Sequence, residues 1–300
     1  MDSHIKQFSS FDSASRVPEY QKDEGFEAAI ERLNVGDDIQ LSELDSCPPI
    51  IIISPPRSGS TYLNQIMAST LDIGYCSNLM AAFYQKPVLG ATLQQQLIGQ
   101  RIAQLSEYNS EFGVTKLIEE PHEFGYFWSR HLQFSEQYHQ PENINELDSI
   151  DWSALNSELR QVSNVFARPT LFKCSVGVFM VEQILANIDA LVLWVDRPAI
   201  DNCRSILTAR EKRLGSTQQW WSVRPRDFED KQKLPPEHQV EWQFNQMHNA
   251  LLAAGDKVGA RMMRIDFSDL MSNQHKIIRH VVSRYEHLFS IKITERGALS

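Results

Sequence analysis

A turn rich in hydroxyl side chains follows a run of four isoleucines, and its residue types could bind an anion. The stretch reads SPPRSGSTY, from Ser54 to Tyr62. A buried strand that ends in a tight turn and then opens a helix directs several backbone N–H groups outward, and the helix dipole adds positive potential there. Anions bind at such turns, although a serine-capped helix beside an exposed arginine has the same residue types. The candidate binding residues are Arg57, Ser58, Gly59, Ser60, Thr61 and Tyr62.

A second arginine and hydroxyl occur in the stretch ALVLWVDRPAIDNCRSIL. A predicted strand there delivers Arg197, and the helix that follows places Ser205 eight residues later, two turns along. An arginine and a helix hydroxyl can grip a phosphate together. The first turn has only Gly59 as glycine, and Arg57 precedes it, so the turn lacks the G-x-x-x-x-G-K-[ST] spacing of nucleotide triphosphatases.

The two stretches together resemble the sulfotransferases that use 3′-phosphoadenosine-5′-phosphosulfate (PAPS), over roughly residues 48 to 290. The resemblance implies that the first turn binds the 5′-phosphosulfate, and that Arg197 with Ser205 binds the 3′-phosphate. Tyr62 stands where cytosolic members place an aromatic residue against the adenine, although a core position is equally open. The segment RIDFSDL is similar to the RYEDL segment of the bacterial members.

Lys173, in LFKCSVG, lies 24 residues before Arg197, as does a lysine that touches the sulfuryl group in the cytosolic members. A lysine that snorkels from a strand edge is the alternative interpretation. In-line transfer at sulfur makes the same demands as phosphoryl transfer, namely to hold the donor, to neutralise the leaving phosphate and to accept the acceptor's proton. Arg57, the amides of residues 58–61 and Lys173 are expected to supply the charge, so no metal is required.

Neither residue that serves as general base in the family is present at its usual position. Ser175 stands where cytosolic members have a histidine, and Asn78 stands where the tyrosylprotein group has a glutamate. The segment LIEEPHEFGYFW offers His122 first and Glu120 second as the proton acceptor, with Glu123 able to orient or replace the histidine. A solvated charge run with an ordinary loop histidine remains the alternative.

The donor-covering Arg-Lys-Gly segment of the cytosolic members is also missing near the carboxyl terminus. Another cation must complete the nucleotide site. The stretch WWSVRPRDF supplies Arg224, which we expect to do so, or Arg226. Trp220 and Trp221 beside them are equally suited to a hinge or a core.

The elements that must position these residues alternate between short apolar runs and helical periodicity, which indicates a parallel sheet covered on both faces. We therefore expect an α/β, three-layer, P-loop-like sulfotransferase fold in one domain, 1–300, with a lead-in at 1–47, a core at 48–290 and a largely helical, substrate-facing insertion at 76–168. The predicted strands are 50–54, 171–175, 190–195 and RMMRIDF, and the predicted helices are 24–33, 60–71, 178–187, 199–213, one that ends at Gly255, and 273–285.

Composition limits the partners. The net charge of −9 argues against general adhesion to nucleic acid or anionic membrane, so an anionic ligand needs a local basic site. The four cysteines are far apart and give neither a zinc ligand set nor a disulfide framework, which favours a reducing cytoplasm. No apolar run approaches the ~18 residues of a membrane helix, and the amino terminus lacks a signal region.

The sequence thus favours a cytoplasmic sulfotransferase that moves a sulfuryl group from PAPS, leaving adenosine 3′,5′-bisphosphate (PAP), to a hydroxyl of a glycan, a natural product or a carrier-bound small molecule. A nucleotide-dependent phosphotransferase and a non-catalytic protein that binds PAPS or PAP are the alternatives. The aromatic residues of HEFGYFWSRHLQF suit stacking on sugar rings, and they suit a core equally.

Overall fold

The structure is a computed structural model, and it describes residues 47–99, 102, 110–133, 138–141 and 144–296, with backbone alone at 144 and 145. The helix predicted at 24–33 lies outside the described residues.

Five parallel strands form one sheet in the order β2-β3-β1-β4-β5. In the centre of the sheet, Ile52 lies opposite Lys173 on one neighbour and Leu193 on the other. Because all strands run the same way, their carboxyl ends meet at one edge, and the order reverses between β1 and β4, where open α/β sheets bind ligands. The strands are β1 (Ile50–Ile52), β2 (Gly74–Tyr75), β3 (Thr170–Lys173), β4 (Leu191–Asp196) and β5 (Met262–Asp266).

Helices cover both faces of the sheet. Those of the insertion are α2 (Asn78–Ala81), α3 (Pro87–Leu97), α4 (Gly125–Leu132), α5 (Ile144–Asp148) and α6 (Trp152–Phe166). The others in the described part of the chain are α1 (Ser60–Thr70), α7 (Val181–Asn187), α8 (Ala199–Leu214), α9 (Phe228–Lys231), α10 (Pro236–Val258), α11 (Phe267–Ser272) and α12 (Gln274–Phe289), together with 3₁₀ turns at Ser175–Phe179 and Gly259–Arg261. The predicted α/β architecture with a largely helical insertion is confirmed.

Two hydrophobic clusters pack against opposite faces of the sheet. Ile51 and Ile53 belong to one cluster, and Ile50 and Ile52 belong to the other. Successive side chains of a strand point to opposite faces, so a continuous isoleucine run is the pattern of a strand buried on both sides. This central strand is therefore rigid where the turn after it begins.

Several observed bounds differ from the predicted ones, and one strand was not predicted. The helix predicted to end at Gly255 continues to Val258 and ends at Gly259, which has the left-handed φ of 58° that glycine adopts without strain. The helix predicted from residue 178 begins only at Val181, after a 3₁₀ turn. The edge strand β2 has two residues, too few to show a strand pattern in the sequence.

Candidate active site

A cavity opens at the carboxyl edge of the sheet, where the segments after β1, β3 and β4 meet the insertion. Among the described residues that line it, four carry a cationic side chain and one carries a carboxylate. The cations are Arg57, Lys173, Arg197 and Arg213, and the carboxylate is Glu123. The cavity is therefore positive in a protein whose net charge is −9.

The turn after β1 is held in an unusual backbone conformation by its neighbours. Arg57 has a φ of 66°, and Gly59, the cap of α1, has a φ of 97° with no side-chain cap bond. Asn202, fully buried, donates from Nδ2 to the Pro56 carbonyl at 3.0 Å. The first N–H groups of α1 have no partner within the helix, so the turn presents amide donors at the cavity.

The same turn contains a buried hydroxyl, on Ser58. Its side chain is 1% exposed, and its Oγ has no hydrogen-bond partner in the described part of the chain. Buried hydroxyls are normally hydrogen-bonded. An anion seated in the turn would supply that partner.

The two predicted anion sites are contiguous. Arg57 Nε donates to Ser205 Oγ at 3.1 Å, and Arg197 Nη1 donates to the Arg57 carbonyl at 2.9 Å. The Arg197 guanidinium also lies 4.5 Å from the centre of the Phe267 ring. The structure thus brings the turn, Arg197 and Ser205 together on one side of the cavity.

Arg213 is a cation that the sequence interpretation missed. It lines the cavity near the end of α8, and its Nη2 donates to the Glu111 carbonyl at 2.7 Å. The Phe112 ring lies between it and Arg57, 5.1 Å from one guanidinium and 5.3 Å from the other. Arg213 follows Ser205 by eight residues, as Ser205 follows Arg197, and that repeated spacing was the available signal.

The three arginines repel one another. Burial lowers the pKa of the Arg57 guanidinium, and the charges of Arg197 and Arg213 lower it further. A site that concentrates cations in this way is stabilised by a multiply charged anion.

Lys173 ends β3 and is 5% exposed. Its Nζ donates to Thr61 Oγ1 at 3.0 Å and lies 3.6 Å from Glu123 Oε2. The lysine therefore links the turn after β1 to Glu123, the one carboxylate among the described lining residues. It is a buried cavity residue rather than a surface-snorkelling one.

Glu120 and His122 lie outside the set of described residues that line the cavity. Glu120 Oε2 accepts from the backbone N–H groups of Lys116 and Leu117, both at 2.8 Å, so this carboxylate stabilises a turn. His122 Nδ1 accepts from the Phe124 N–H at 2.9 Å, which occupies the lone pair that a base would use. The structure does not bring either residue to the cavity, and it brings Glu123 there instead.

The backbone of this segment explains the difference. Residues 120–122 pair with residues 76–78, through the Asn78 N–H to the Glu120 carbonyl at 3.0 Å and the His122 N–H to the Cys76 carbonyl at 2.8 Å. Side chains alternate in extended backbone, so Glu120 and Glu123 take opposite directions.

Arg224 and Arg226 are also absent from the described lining of the cavity. The Arg224 guanidinium lies 5.4 Å from the Phe228 ring centre, and Arg226 pairs with Glu146 at 3.0 Å. Among the described lining residues, the third arginine of the cavity is Arg213 rather than either of them.

The position of Tyr62 keeps both interpretations open, namely a contact with adenine and a place in the core. Its ring lines the cavity and also packs against the cluster of one sheet face, while its hydroxyl hydrogen-bonds Gln274. An adenine ring could stack on the side that faces the cavity.

No group of three or more His, Cys, Asp or Glu side chains among the described residues is placed to hold a metal ion. No helix in the described part of the chain has the length and hydropathy needed to cross a membrane.

Comparison with known proteins agrees with this geometry. Residues 48–288 match the model of a sulfotransferase family. The fold is similar to sulfotransferase STF1 from Mycobacterium tuberculosis H37Rv, with a TM-score of 0.53 and 13% identity over 95% of this chain and 83% of that one. STF9 from Mycobacterium avium covers the same shares at 13% identity and a TM-score of 0.49. Curated protein sequences give no match. The match over most of the length shows that the chain belongs to the sulfotransferase family.

Proposed function

We propose that the chain transfers a sulfuryl group from PAPS to a hydroxyl of a glycan, a natural product or a carrier-bound small molecule, and releases PAP. The observation that carries the proposal is the lining of the cavity. The described lining residues include four cations, the start of α1 and one carboxylate. PAPS carries a phosphomonoester at one position and a phosphosulfate at another, so it needs two adjoining anion sites. The unpartnered hydroxyl of Ser58 supports the same occupant.

The donor-binding roles follow from position. We assign the 5′-phosphosulfate to the amides and hydroxyls of residues 58–61 with Arg57, and the 3′-phosphate to Arg197 and Ser205. Arg213 takes the role that the sequence suggested for Arg224, because it lines the cavity. Tyr62 is assigned to the adenine.

The transfer step uses Glu123 and Lys173. The acceptor oxygen forms a bond to sulfur, the bond from sulfur to the bridging oxygen of the 5′-phosphate breaks, and the acceptor proton passes to the Glu123 carboxylate. Lys173 Nζ, which contacts both Thr61 and Glu123, stabilises the charge that develops on the bridging oxygen. We move the role of base from His122 and Glu120 to Glu123 for this reason.

Two further properties belong to the proposal. Arg57, Lys173, Arg197 and Arg213 suffice to neutralise the leaving phosphate, so we propose no catalytic metal. All four cysteines lie in the described part of the chain as free thiols, which supports a reducing cytoplasm as the place of the reaction. We treat the chain as one catalytic domain.

Calorimetry with PAP and with ATP, followed by transfer of labelled sulfate from PAPS to a panel of hydroxyl compounds, tests the function. We expect binding of PAP, no comparable binding of ATP, and transfer of label. Binding of PAP without transfer to any compound would identify a binding protein. Phosphoryl transfer from ATP would identify a phosphotransferase.

A further inference from the structure

One wall of the cavity contains a serine in a backbone conformation that residues other than glycine rarely adopt. Trp221, Ser222 and Val223 line the cavity, and we call these three residues the acceptor wall. Ser222 has a φ of 68°, in the left-handed region that residues with a Cβ rarely adopt. Such a conformation persists only when its surroundings hold it, and it is concentrated at functional sites.

A buried glutamine holds the acceptor wall from behind. Gln243, on α10 and fully buried, donates from Nε2 to the carbonyls of Trp221 at 3.0 Å and Val223 at 2.6 Å. These two carbonyls flank Ser222. Beyond the wall, His139 Nδ1 accepts from the Arg224 N–H at 2.9 Å, so the backbone is fixed on both sides of the serine.

A buried arginine in turn holds the glutamine. Arg210 is 0% exposed, and its guanidinium donates to Gln243 Oε1 at 3.3 Å, to Gln239 Oε1 at 2.7 Å and to the Thr217 carbonyl at 3.2 Å. Within the described residues no carboxylate pairs with it, and burial lowers the pKa of Arg210 to about 10. Gln239 donates onward to the Leu234 carbonyl at 2.9 Å.

Burying a charge without a counter-ion is unfavourable. Every hydrogen bond that Arg210 makes here goes to the segment between α8 and α10 or to a glutamine that holds it. The network therefore fixes that segment at the expense of an uncompensated charge.

Val223 of the acceptor wall and Tyr62, which follows the turn after β1, pack with different hydrophobic clusters. Val223, with Tyr126 and Val176, packs in the cluster on one sheet face, whereas Tyr62 and Phe267 pack in the cluster on the other face. The described lining of the cavity also includes the hydroxyls of Ser129 and Ser175 and the Glu123 carboxylate. With Lys173, which lies 3.6 Å from Glu123, engaged by the donor's leaving oxygen, the Glu123 carboxylate would repel an anionic acceptor.

We propose that the acceptor wall selects an uncharged hydroxyl compound, that the Ser222 hydroxyl contacts it, and that Gln243 and Arg210 are positioning residues for this contact. This inference rests on the proposed function of the same cavity. It adds the class of acceptor and the residues that discriminate it.

Gln243→Glu separates positioning from folding. The new carboxylate gives Arg210 a counter-ion, while the Nε2 donor to the two wall carbonyls is lost. We expect an unchanged or higher Tm, unchanged affinity for PAP by calorimetry, and at least a tenfold loss of kcat/KM for the acceptor. Loss of activity only in proportion to a lowered Tm would assign Gln243 a merely structural role and overturn the proposal.

Serine variants test the contact itself. Ser222→Gly relieves the left-handed backbone and Ser222→Ala keeps it, and both remove the hydroxyl, so we expect both to lower acceptor kcat/KM about tenfold or more with PAP affinity intact. Ser290→Gly controls for the effect of relieving a left-handed backbone alone. Ser290 has a similar φ of 57°, at the end of α12. Wild-type kcat/KM in Ser222→Gly would overturn the contact.

The acceptor class is tested with PAPS and a panel of neutral alcohols, phenols and glycosides, each matched to a carboxylate-bearing analogue. We expect the wild type to sulfate neutral members at least tenfold faster than their anionic partners. Equal or faster transfer to the anionic partners, or no transfer to any neutral member, would overturn the acceptor class. Failure of the wild type to bind PAP would instead remove the proposed function.

Discussion

At the scale of single residues, the cavity is defined by which side chains reach it rather than by which residue types stand in a motif. Glu120, His122 and Glu123 belong to one short stretch, and only Glu123 lines the cavity among these three. Arg213 lines the cavity, whereas Arg224, in the more conspicuous tryptophan-arginine stretch, does not. A residue's chemistry is therefore available only where the local backbone directs it.

Arg213→Ala and Arg224→Ala form a matched pair of variants that tests which residue is the third arginine of the donor site. We expect Arg213→Ala to weaken PAP binding by about 1.5–3 kcal/mol, the contribution of a hydrogen bond to a charged group. Arg224→Ala should bind PAP as the wild type does, since its guanidinium contacts Phe228 instead. Titration calorimetry at one salt concentration checks both, and a reversed order of the two affinities would restore Arg224 to the site.

At the scale of the elements, the turn between β1 and α1 depends on one glycine. Gly59 has a φ of 97°, and a Cβ built there would lie 2.9 Å from two carbons of the Phe267 ring. That ring also contacts the Arg197 guanidinium, 4.5 Å from the ring centre. A side chain at position 59 would therefore disturb both the turn and the contact between Phe267 and Arg197.

Gly59→Ala is expected to lower the free energy of unfolding and to weaken PAP binding. The left-handed backbone costs a residue with a Cβ about 1–2 kcal/mol, and overpacking against Phe267 costs about 1–3 kcal/mol more. Gly99→Ala is the control, because Gly99 also has a positive φ, 55°, and among the described residues a Cβ there meets only the Gln95 carbonyl at 3.8 Å. Denaturant unfolding and calorimetry measure the two effects, and equal losses in both variants would show that the Phe267 contact is unimportant.

At the scale of the whole molecule, a chain of net charge −9 places four cationic side chains in the cavity where the carboxyl ends of parallel strands meet. The order β2-β3-β1-β4-β5 puts the ends of β1, β3 and β4 side by side. Arg57, Lys173 and Arg197, which are far apart along the chain, come together for that reason. The topology thus creates the local positive potential that an anionic donor requires.

The sequence predicted the parts of this arrangement that are local. The isoleucine run, the turn after it, and Arg197 at a strand end each carry their own pattern, so the sheet and its ligand edge could be predicted. The direction of Glu123 depends on pairing between residues 120–122 and 76–78, a tertiary contact without a local pattern. The strand β2 has only two residues and shows no strand pattern. The network around Arg210 consists of tertiary contacts, so neither feature was predicted.

The central claim is that Glu123 accepts the acceptor's proton during transfer from PAPS. Its most direct test is the rate of labelled-sulfate transfer in Glu123→Gln beside His122→Asn, which keeps a side-chain acceptor for the Phe124 N–H. We predict that Glu123→Gln lowers kcat by roughly 10²- to 10⁴-fold with PAP affinity unchanged, as loss of a general base does, and that His122→Asn retains activity. Wild-type turnover in Glu123→Gln, with the loss found in His122→Asn, would contradict the assignment.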